Sequence, residues 1–212
     1  SVLRVIAEDP ITPAEAIIKV KDAYFPVASL QERADTLDKN PSLYDDIYVG
    51  ELYTTGTGEI EFRPTDDIPI RTYPVDNDTK GALEIYSMPK KDREGKVLND
   101  RYIIGVDPYD NDQAESHSLY SIFVLDTFVD NLAAEYTGRT NFADEAHDMV
   151  LKLCIFYNAK ALYESNKKGL YSYMEKTRNT FRLADTPEYL RDKQLVKYSS
   201  FGGNSGTSCS ES

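Results

Sequence analysis

Short runs of apolar residues, each bounded by polar or turn-forming residues, predict strands in the second half of the chain. Four strands are predicted there: Tyr102–Asp107, Leu119–Leu125, Asn131–Tyr136 and Ala161–Glu164. Between the third and fourth, apolar residues recur every three or four positions from Ala143 to Ala159, the period of a helix with one buried face. Three strands, a helix and a further strand predict an α/β domain, with another helix over Leu170–Thr180.

The first half of the chain predicts smaller elements. Three short strands with alternating polarity, joined by turns rich in Gly, Pro and Asp, are predicted at Tyr48–Tyr53, Ile60–Phe62 and Leu83–Tyr86. They indicate a small antiparallel unit. Upstream, two helices are predicted at Ala14–Val20 and Ser29–Leu37, separated by a break at Tyr24-Phe25-Pro26.

These elements predict three parts along the chain. Residues 1–45 form a helical linker, and residues 46–198 form the α/β domain. Within that domain, residues 46–100 are a β extension and residues 101–198 are the core. Residues 199–212 are rich in Ser and Gly and are predicted to be a flexible tail.

Two acidic residues, Asp107 and Glu164, each close an apolar run at the point where polar residues begin. A strand buried in a sheet emerges at such a point and can present a ligand there. A single acid at a strand end is more often a cap or turn residue, but two at these topological positions favour a site. Paired carboxylates supply the hard oxygen ligands preferred by Mg²⁺ or Mn²⁺. Metals held in this way are commonly used to cut phosphodiesters.

Composition places the 212-residue chain among soluble globular proteins, with 41% hydrophobic and 28% charged residues. No apolar stretch approaches the roughly 20 residues that span a membrane, and the first residues lack the pattern of a secretory signal. Only two cysteines occur, Cys154 and Cys209, which argues against a disulfide framework and favours a reducing cytoplasm. A first residue other than Met indicates a fragment or a processed chain.

The net charge of −12 counts against tight binding of nucleic acid by the chain alone. The charge is unevenly distributed. Residues 160–198 hold nine Lys or Arg and five Asp or Glu, whereas residues 1–159 hold 15 basic and 30 acidic residues. A mildly basic stretch around and after Glu164 is therefore compatible with DNA beside a metal site.

The order of the segments resembles a known family. A β-β-β-α-β order, with acids ending the first and fourth strands, is the plan of ribonuclease H-like enzymes, in which neighbouring strands bring the two carboxylates together. Over about residues 8–195, the chain resembles the C-terminal nuclease domain of the terminase large subunit of tailed bacteriophages. The segments that carry this resemblance are Tyr102–Pro108, Ser118–Asp126, Ala134–Arg139, Tyr157–Ala159 and Tyr163–Leu170. Upstream, Glu8–Ala16 and Tyr24–Pro26 resemble the end of the motor's ATPase domain and its link to the nuclease.

The resemblance implies a ribonuclease H-like mixed sheet flanked by helices and a metal-dependent endonuclease that cuts concatemeric DNA at the start and end of genome packaging. Asp107 matches the family's first metal-binding aspartate and Glu164 its second acid, with Mg²⁺ or Mn²⁺ as cofactor. The implied partners are double-stranded DNA, the portal protein, the small terminase subunit and the protein's own ATPase domain. The implied location is the host cytoplasm, at the procapsid, with no membrane partner.

The family's third acid belongs to a late Gly-x-His-Asp-Asp-like motif, which does not follow Glu164 in this sequence. Asp185 and Asp192 are the only later aspartates, and neither has that context. On this comparison the chain is expected to be catalytically incomplete.

Several residues keep two interpretations. The family places a further acid about eight residues after the first aspartate, which points to Glu115, but a solvated acidic turn explains that residue, Asp110 and Asp112 equally well. Lys167 and Lys168 are either phosphate contacts or a solvated basic pair. The pair His147-Asp148 is predicted to lie on a helix surface.

Two other functions stay open. One is a ribonuclease H-like nuclease with a different task, such as a resolvase or an integrase-like enzyme. The other is a non-catalytic assembly module, which the charge of −12 favours somewhat.

Overall fold

The computed structural model describes residues 26–40, 46–71, 79–109, 118–164 and 167–185. The chain divides into two compact units, Ser1–Asp46 and Ile47–Ser212. In the first unit, helix α1 spans Val27–Lys39 and contains the predicted Ser29–Leu37 helix. The predicted helix at Ala14–Val20 and the tail over 199–212 lie outside the described residues.

The second unit is built on one mixed sheet of seven strands. The strands are β1 (Tyr48–Thr54), β2 (Ile60–Pro64), β3 (Leu83–Ile85), β4 (Tyr102–Asp107), β5 (Tyr120–Asp126), β6 (Asn131–Gly138) and β7 (Lys160–Tyr163). Their order across the sheet is β2-β1-β3-β6-β5-β4-β7. Strands β4 and β7 run parallel, and every other pair is antiparallel. Two α-helices, α2 (Ala143–Phe156) and α3 (Lys168–Lys176), complete an α/β unit, as predicted.

Strand β4 shows how the sheet separates its two faces. Its odd and even residues alternate strictly between buried and exposed, because successive side chains of a strand point to opposite sides. Tyr102, Ile104 and Val106 lie on the buried side, which we call the helix face. Ile103, Gly105 and Asp107 lie on the other side, which we call the outer face.

The helix face forms the core of this unit. Helix α2 buries Ala146, Val150, Leu153 and Cys154, and helix α3 buries Leu170 and Met174, in the same cluster as the inward side chains of β4 and β5. The three-to-four spacing of these positions predicted α2. The helix ends at Phe156, three residues earlier than predicted, because Asn158 adopts a left-handed conformation with φ of 49°.

One buried ion pair ties the start of β4 to the end of β5. The guanidinium of Arg101 donates to both carboxylate oxygens of Asp126, with Nη2 to Oδ2 at 2.7 Å. The side chain of Asp126 is only 4% exposed. Burial alone would raise the pKa of Asp126, but the hydrogen bonds from Arg101 and from the N–H of Phe128 outweigh it and leave that pKa below its usual value.

Within the described part of the chain, no helix combines the length and the apolar composition that are needed to cross a membrane.

Candidate metal centre

Asp107 lies at the carboxyl end of β4, on the outer face. The preceding residue, Val106, is buried on the helix face, so the alternation of the strand turns Asp107 outward and leaves it exposed. Across the antiparallel partner strand it lies opposite Ser121 of β5. The alternation of buried and exposed residues along β4 thus determines the face on which this carboxylate lies.

Glu164 occupies the equivalent position on the neighbouring parallel strand. Val106 pairs with Tyr163 in the parallel register of β4 and β7, and Asp107 and Glu164 are the next residue on each strand. Because Val106 and Tyr163 are both buried on the helix face, the two acids lie on the outer face. Adjacent strands are separated by about 4.8 Å, so one cation can contact both carboxylates. The register of β4 and β7 therefore places these two acids at one edge of the sheet.

A network of side chains fixes the chain that follows Asp107. Tyr109 is buried, and its hydroxyl lies 3.0 Å from Oγ1 of Thr140, just beyond β6. The guanidinium of Arg139 lies 4.3 Å from the centre of the Tyr109 ring, and its Nη1 donates to the carbonyl oxygen of Ser118 at 2.8 Å. The ends of β4 and β6 are thereby joined at the edge that carries the acids.

Arg139 is a feature of this edge to which the sequence analysis gave no role. It directly follows β6, which is antiparallel to β5 just as β5 is to β4. The strand order alone therefore places the end of β6 at the same edge as the end of β4. That topological signal, together with the turn Thr137-Gly138-Arg139-Thr140, was present in the sequence.

Two more cations, Lys167 and Lys168, follow Glu164 after two intervening residues. The backbone N–H of Lys167 donates to the carbonyl oxygen of Glu164 at 3.2 Å, and helix α3 begins at Lys168. The amino end of a helix carries a partial positive charge, which adds to that of the two lysines. Lys167 is partly buried and Lys168 is exposed. The edge thus combines two carboxylates with positive groups on either side.

The tyrosines beneath the edge are packing residues. Tyr163 is buried on the helix face. Burial, together with the nearby groups of Tyr109 and Glu145, raises the pKa of Tyr136 above its usual value, and its hydroxyl donates to the carbonyl oxygen of Lys80 at 3.1 Å. Tyr136 therefore stays protonated at neutral pH and does not supply a base.

The prediction that His147 lies on a helix surface is wrong. Its side chain is 1% exposed, and a hydrogen bond of 3.0 Å joins its Nδ1 to the hydroxyl of Tyr120 on β5. Its neighbour Asp148 is more exposed, accepts a hydrogen bond from Tyr173 and pairs with Lys152. His147 is thus a satisfied core residue on the helix face, away from the acids.

The donor set fits a hard divalent cation held in part by other ligands. Mg²⁺ in proteins is often bound by one or two carboxylates, with water and substrate phosphate completing its shell. Among the described residues, no group of three or more His, Cys, Asp or Glu could hold a metal. Asp107 and Glu164 would therefore act as a pair.

Asp185 does not supply a third ligand at this edge. Leu183, two residues earlier, is buried and pairs with Ala161 in parallel, and the N–H of Ala184 donates to the carbonyl oxygen of Ala161. Asp185 itself is exposed, and among the described residues it belongs to no group of three or more His, Cys, Asp or Glu that could hold a metal.

The remaining candidate acids of the sequence analysis are not described. Asp110, Asp112, Glu115 and Asp192 lie outside the described residues.

No protein-family model matches the chain, and no curated protein is significantly similar to it in sequence.

Proposed function

We propose that this chain is a divalent-metal-dependent DNA endonuclease domain with a ribonuclease H-like fold, of the kind found in the large terminase subunits of tailed bacteriophages. The observation that carries the proposal is the placement of Asp107 and Glu164. They occupy matching positions on neighbouring parallel strands and share the outer face. Such a pair suits a cation that must also contact a phosphate.

The sheet supports the proposed fold. Strands β4, β5 and β6 form an antiparallel meander, helix α2 follows, and β7 returns beside β4 in parallel. This gives the local order β6-β5-β4-β7, which is the order of the ribonuclease H-like core. The three upstream strands extend the sheet through the pairing of β3 with β6.

Asp107 and Glu164 would hold Mg²⁺ or Mn²⁺ through their carboxylate oxygens. When bound there, the ion supplies charge stabilisation at the phosphate and lowers the pKa of coordinated water. The two carboxylates fix the position of the reacting phosphate relative to the sheet. Asp107 is the last paired residue of β4 with β5, and Glu164 directly follows the last paired residue of β7, so the sheet restrains both acids.

The positive groups around the acids are suited to the phosphate backbone of DNA. Arg139 is held beside Tyr109, and Lys167 and Lys168 begin helix α3 next to Glu164. Such contacts position a duplex without reading its sequence. Weak sequence preference at the cut is therefore part of the proposal.

The outer face leaves space for a substrate beside Asp107. A methyl group added at Gly105 would meet no described atom within 4 Å. A glycine in the interior of a strand often marks a close approach by a ligand or another backbone. DNA lying against the end of β4 would use this space.

The biological role follows the same resemblance. The domain would cut concatemeric DNA at the start and end of packaging, in the host cytoplasm at the procapsid. It would act together with an ATPase domain of the same protein, the portal protein and the small terminase subunit. The net charge of −12 makes such partners important, because it weakens the binding of DNA by the chain alone.

Nicking of supercoiled plasmid in the presence of Mn²⁺ tests this function. Asp107→Asn and Glu164→Gln are each expected to reduce nicking at least about a hundredfold, as expected for loss of a metal ligand. The matched controls are Asp66→Asn and Glu59→Gln, which remove the same charge from exposed acids elsewhere. Equal nicking rates in all four variants, or nicking that persists in EDTA, would contradict the proposal.

A further inference from the structure

A second concave site lies at the opposite end of β4 from the acids. It is a pocket of about 460 Å³, within the range of small-ligand sites. Its walls come from Asn99 and Asp100 before β4, from Asn158 and Lys160 around the start of β7, and from Phe181 and Arg182 of the 3₁₀ helix Thr180–Arg182. Ile103 lines the pocket, and Asp107 lies four positions further along β4. At about 3.3 Å per residue, the pocket and the acids are therefore roughly 13 Å apart.

The pocket is positively charged in an acidic protein. Lys160 and Arg182 line it together with one carboxylate, Asp100. Among the described residues, neither cation forms an ion pair. Two unneutralised cations in a chain with a net charge of −12 mark a local site for an anion.

Arg182 keeps hydrogen-bonding capacity for a ligand. Its Nη1 donates to the carbonyl oxygen of Cys154 at 3.3 Å, which anchors the side chain against helix α2. Its Nε is buried and, among the described residues, has no hydrogen-bond partner. A buried donor without a partner is costly, and a guanidinium fork suits phosphate oxygens. Arg182 is therefore anchored at one nitrogen and unsatisfied at another.

The same pocket offers groups that suit a flat heterocycle. Phe181 is 65% exposed, and the guanidinium of Arg182 lies 5.1 Å from its ring centre. Nδ2 of Asn158 donates to Oδ1 of Asn99 at 2.7 Å, which leaves the Asn99 amide nitrogen as a donor and the Asn158 amide oxygen as an acceptor. An exposed aromatic ring beside a donor and an acceptor can stack on a base and bind its edge.

We propose that this pocket binds a nucleotide, with the phosphate between Lys160 and Arg182 and the base against Phe181. A free nucleotide and the terminal nucleotide of a DNA strand share this chemistry. Lys160 and Arg182, two cations of the basic stretch, thus serve a site of their own, separate from the acid pair. Binding at this pocket does not depend on whether Asp107 and Glu164 cut DNA.

Calorimetric titration of the full chain with deoxyadenosine monophosphate tests the proposal. Saturable binding is expected, with deoxyadenosine and inorganic phosphate each at least about tenfold weaker, because each keeps only half of the contacts. Lys160→Gln and Arg182→Gln are each expected to weaken binding about tenfold or more, because each removes a charged hydrogen bond to phosphate. Phe181→Ala is expected to weaken it by a similar factor through lost stacking.

The controls are Lys176→Gln and Arg93→Gln, which neutralise exposed cations outside the pocket. Arg182 also contacts helix α2, so each variant is checked by urea unfolding. Lys160 is exposed, so Lys160→Gln is expected to fold normally. If Arg182→Gln is unstable, the binding measured with Lys160→Gln tests the proposal instead. A single-stranded oligonucleotide with a terminal phosphate distinguishes a free nucleotide from the end of a DNA strand as the natural ligand. If the oligonucleotide binds more tightly than deoxyadenosine monophosphate, the ligand is a strand end. If it binds more weakly, the ligand is a free nucleotide. No saturable binding of either probe, or equal binding by pocket and control variants, overturns the proposal.

Discussion

Truncation of two adjacent isoleucines on β4 tests which face of the sheet carries Asp107. Ile104 is 0% exposed on the helix face, and Ile103 is 37% exposed on the outer face. Each change to Ala removes three carbon atoms, about 2.4 kcal/mol of transfer free energy for a fully buried side chain. Ile104→Ala also leaves a cavity, so we expect it to lower the free energy of unfolding by about 3–4 kcal/mol.

Ile103→Ala is the matched control, with the same chemistry one residue away. About two-thirds of its side chain is buried, and solvent or a neighbour can fill the space, so its cost is expected to be about 1.5 kcal/mol or less. Urea unfolding followed by far-ultraviolet circular dichroism measures both, and equal slopes show that the two variants unfold comparably. Equal losses, or a larger loss for Ile103→Ala, would contradict the assignment of faces and with it the position of Asp107.

Two further predictions concern stability. The pKa of Asp126 is lower in the folded state than in the unfolded state, because Asp126 pairs with Arg101. This pairing therefore stabilises the fold fully at pH values above the ordinary carboxyl pKa of about 3.9. The stabilisation is lost as the pH falls through the pKa of Asp126 in the folded protein. The stability difference between the protein and Asp126→Asn should therefore be largest near neutral pH and shrink below about pH 4, and a difference independent of pH would refute this. Gly81 has φ of +63°, and an added Cβ would lie 1.9 Å from the carbonyl oxygen of Thr137, so Gly81→Ala should cost at least about 2 kcal/mol. Gly56→Ala, where no described atom lies within 4 Å of the added Cβ, should change stability by no more than about 0.5 kcal/mol. Thermal unfolding measures both variants, and similar losses for the two would argue against the close approach of Gly81 to Thr137 of β6.

Local periodicity accounts for the parts of the fold that were predictable from sequence. The apolar run Tyr102–Asp107, closed by an acid, predicted β4, and the three-to-four spacing after Ala143 predicted α2. The two faces of β4 became visible only in the structure, because nearly every residue of that run is apolar. The placement of Asp107 beside Glu164 was implied only by the resemblance to the ribonuclease H-like plan, and the structure supplies its physical reason. Two parallel neighbours end at the same edge of a sheet, so acids closing both strands meet there.

The features that sequence reasoning missed depend on contacts between distant segments. His147 is buried because the hydroxyl of Tyr120, 27 residues earlier, satisfies it within the core. Polar residue types on a helix otherwise indicate a solvated position. The pocket arises because the chain after α3 turns through Thr180–Arg182 and returns beside β7, which brings Arg182 to Cys154. No local sequence pattern indicates these contacts between distant segments.

The central claim is that Asp107 and Glu164 form one metal site. The most direct test is a titration with Mn²⁺, in which the electron paramagnetic resonance signal of the free ion decreases as the protein binds it. The account predicts that Asp107→Asn and Glu164→Gln each weaken Mn²⁺ binding at least about tenfold. It also predicts that the double variant is little worse than either single one, because the two residues act as one unit. Unchanged affinity in the single variants, or effects that simply multiply in the double variant, would contradict it.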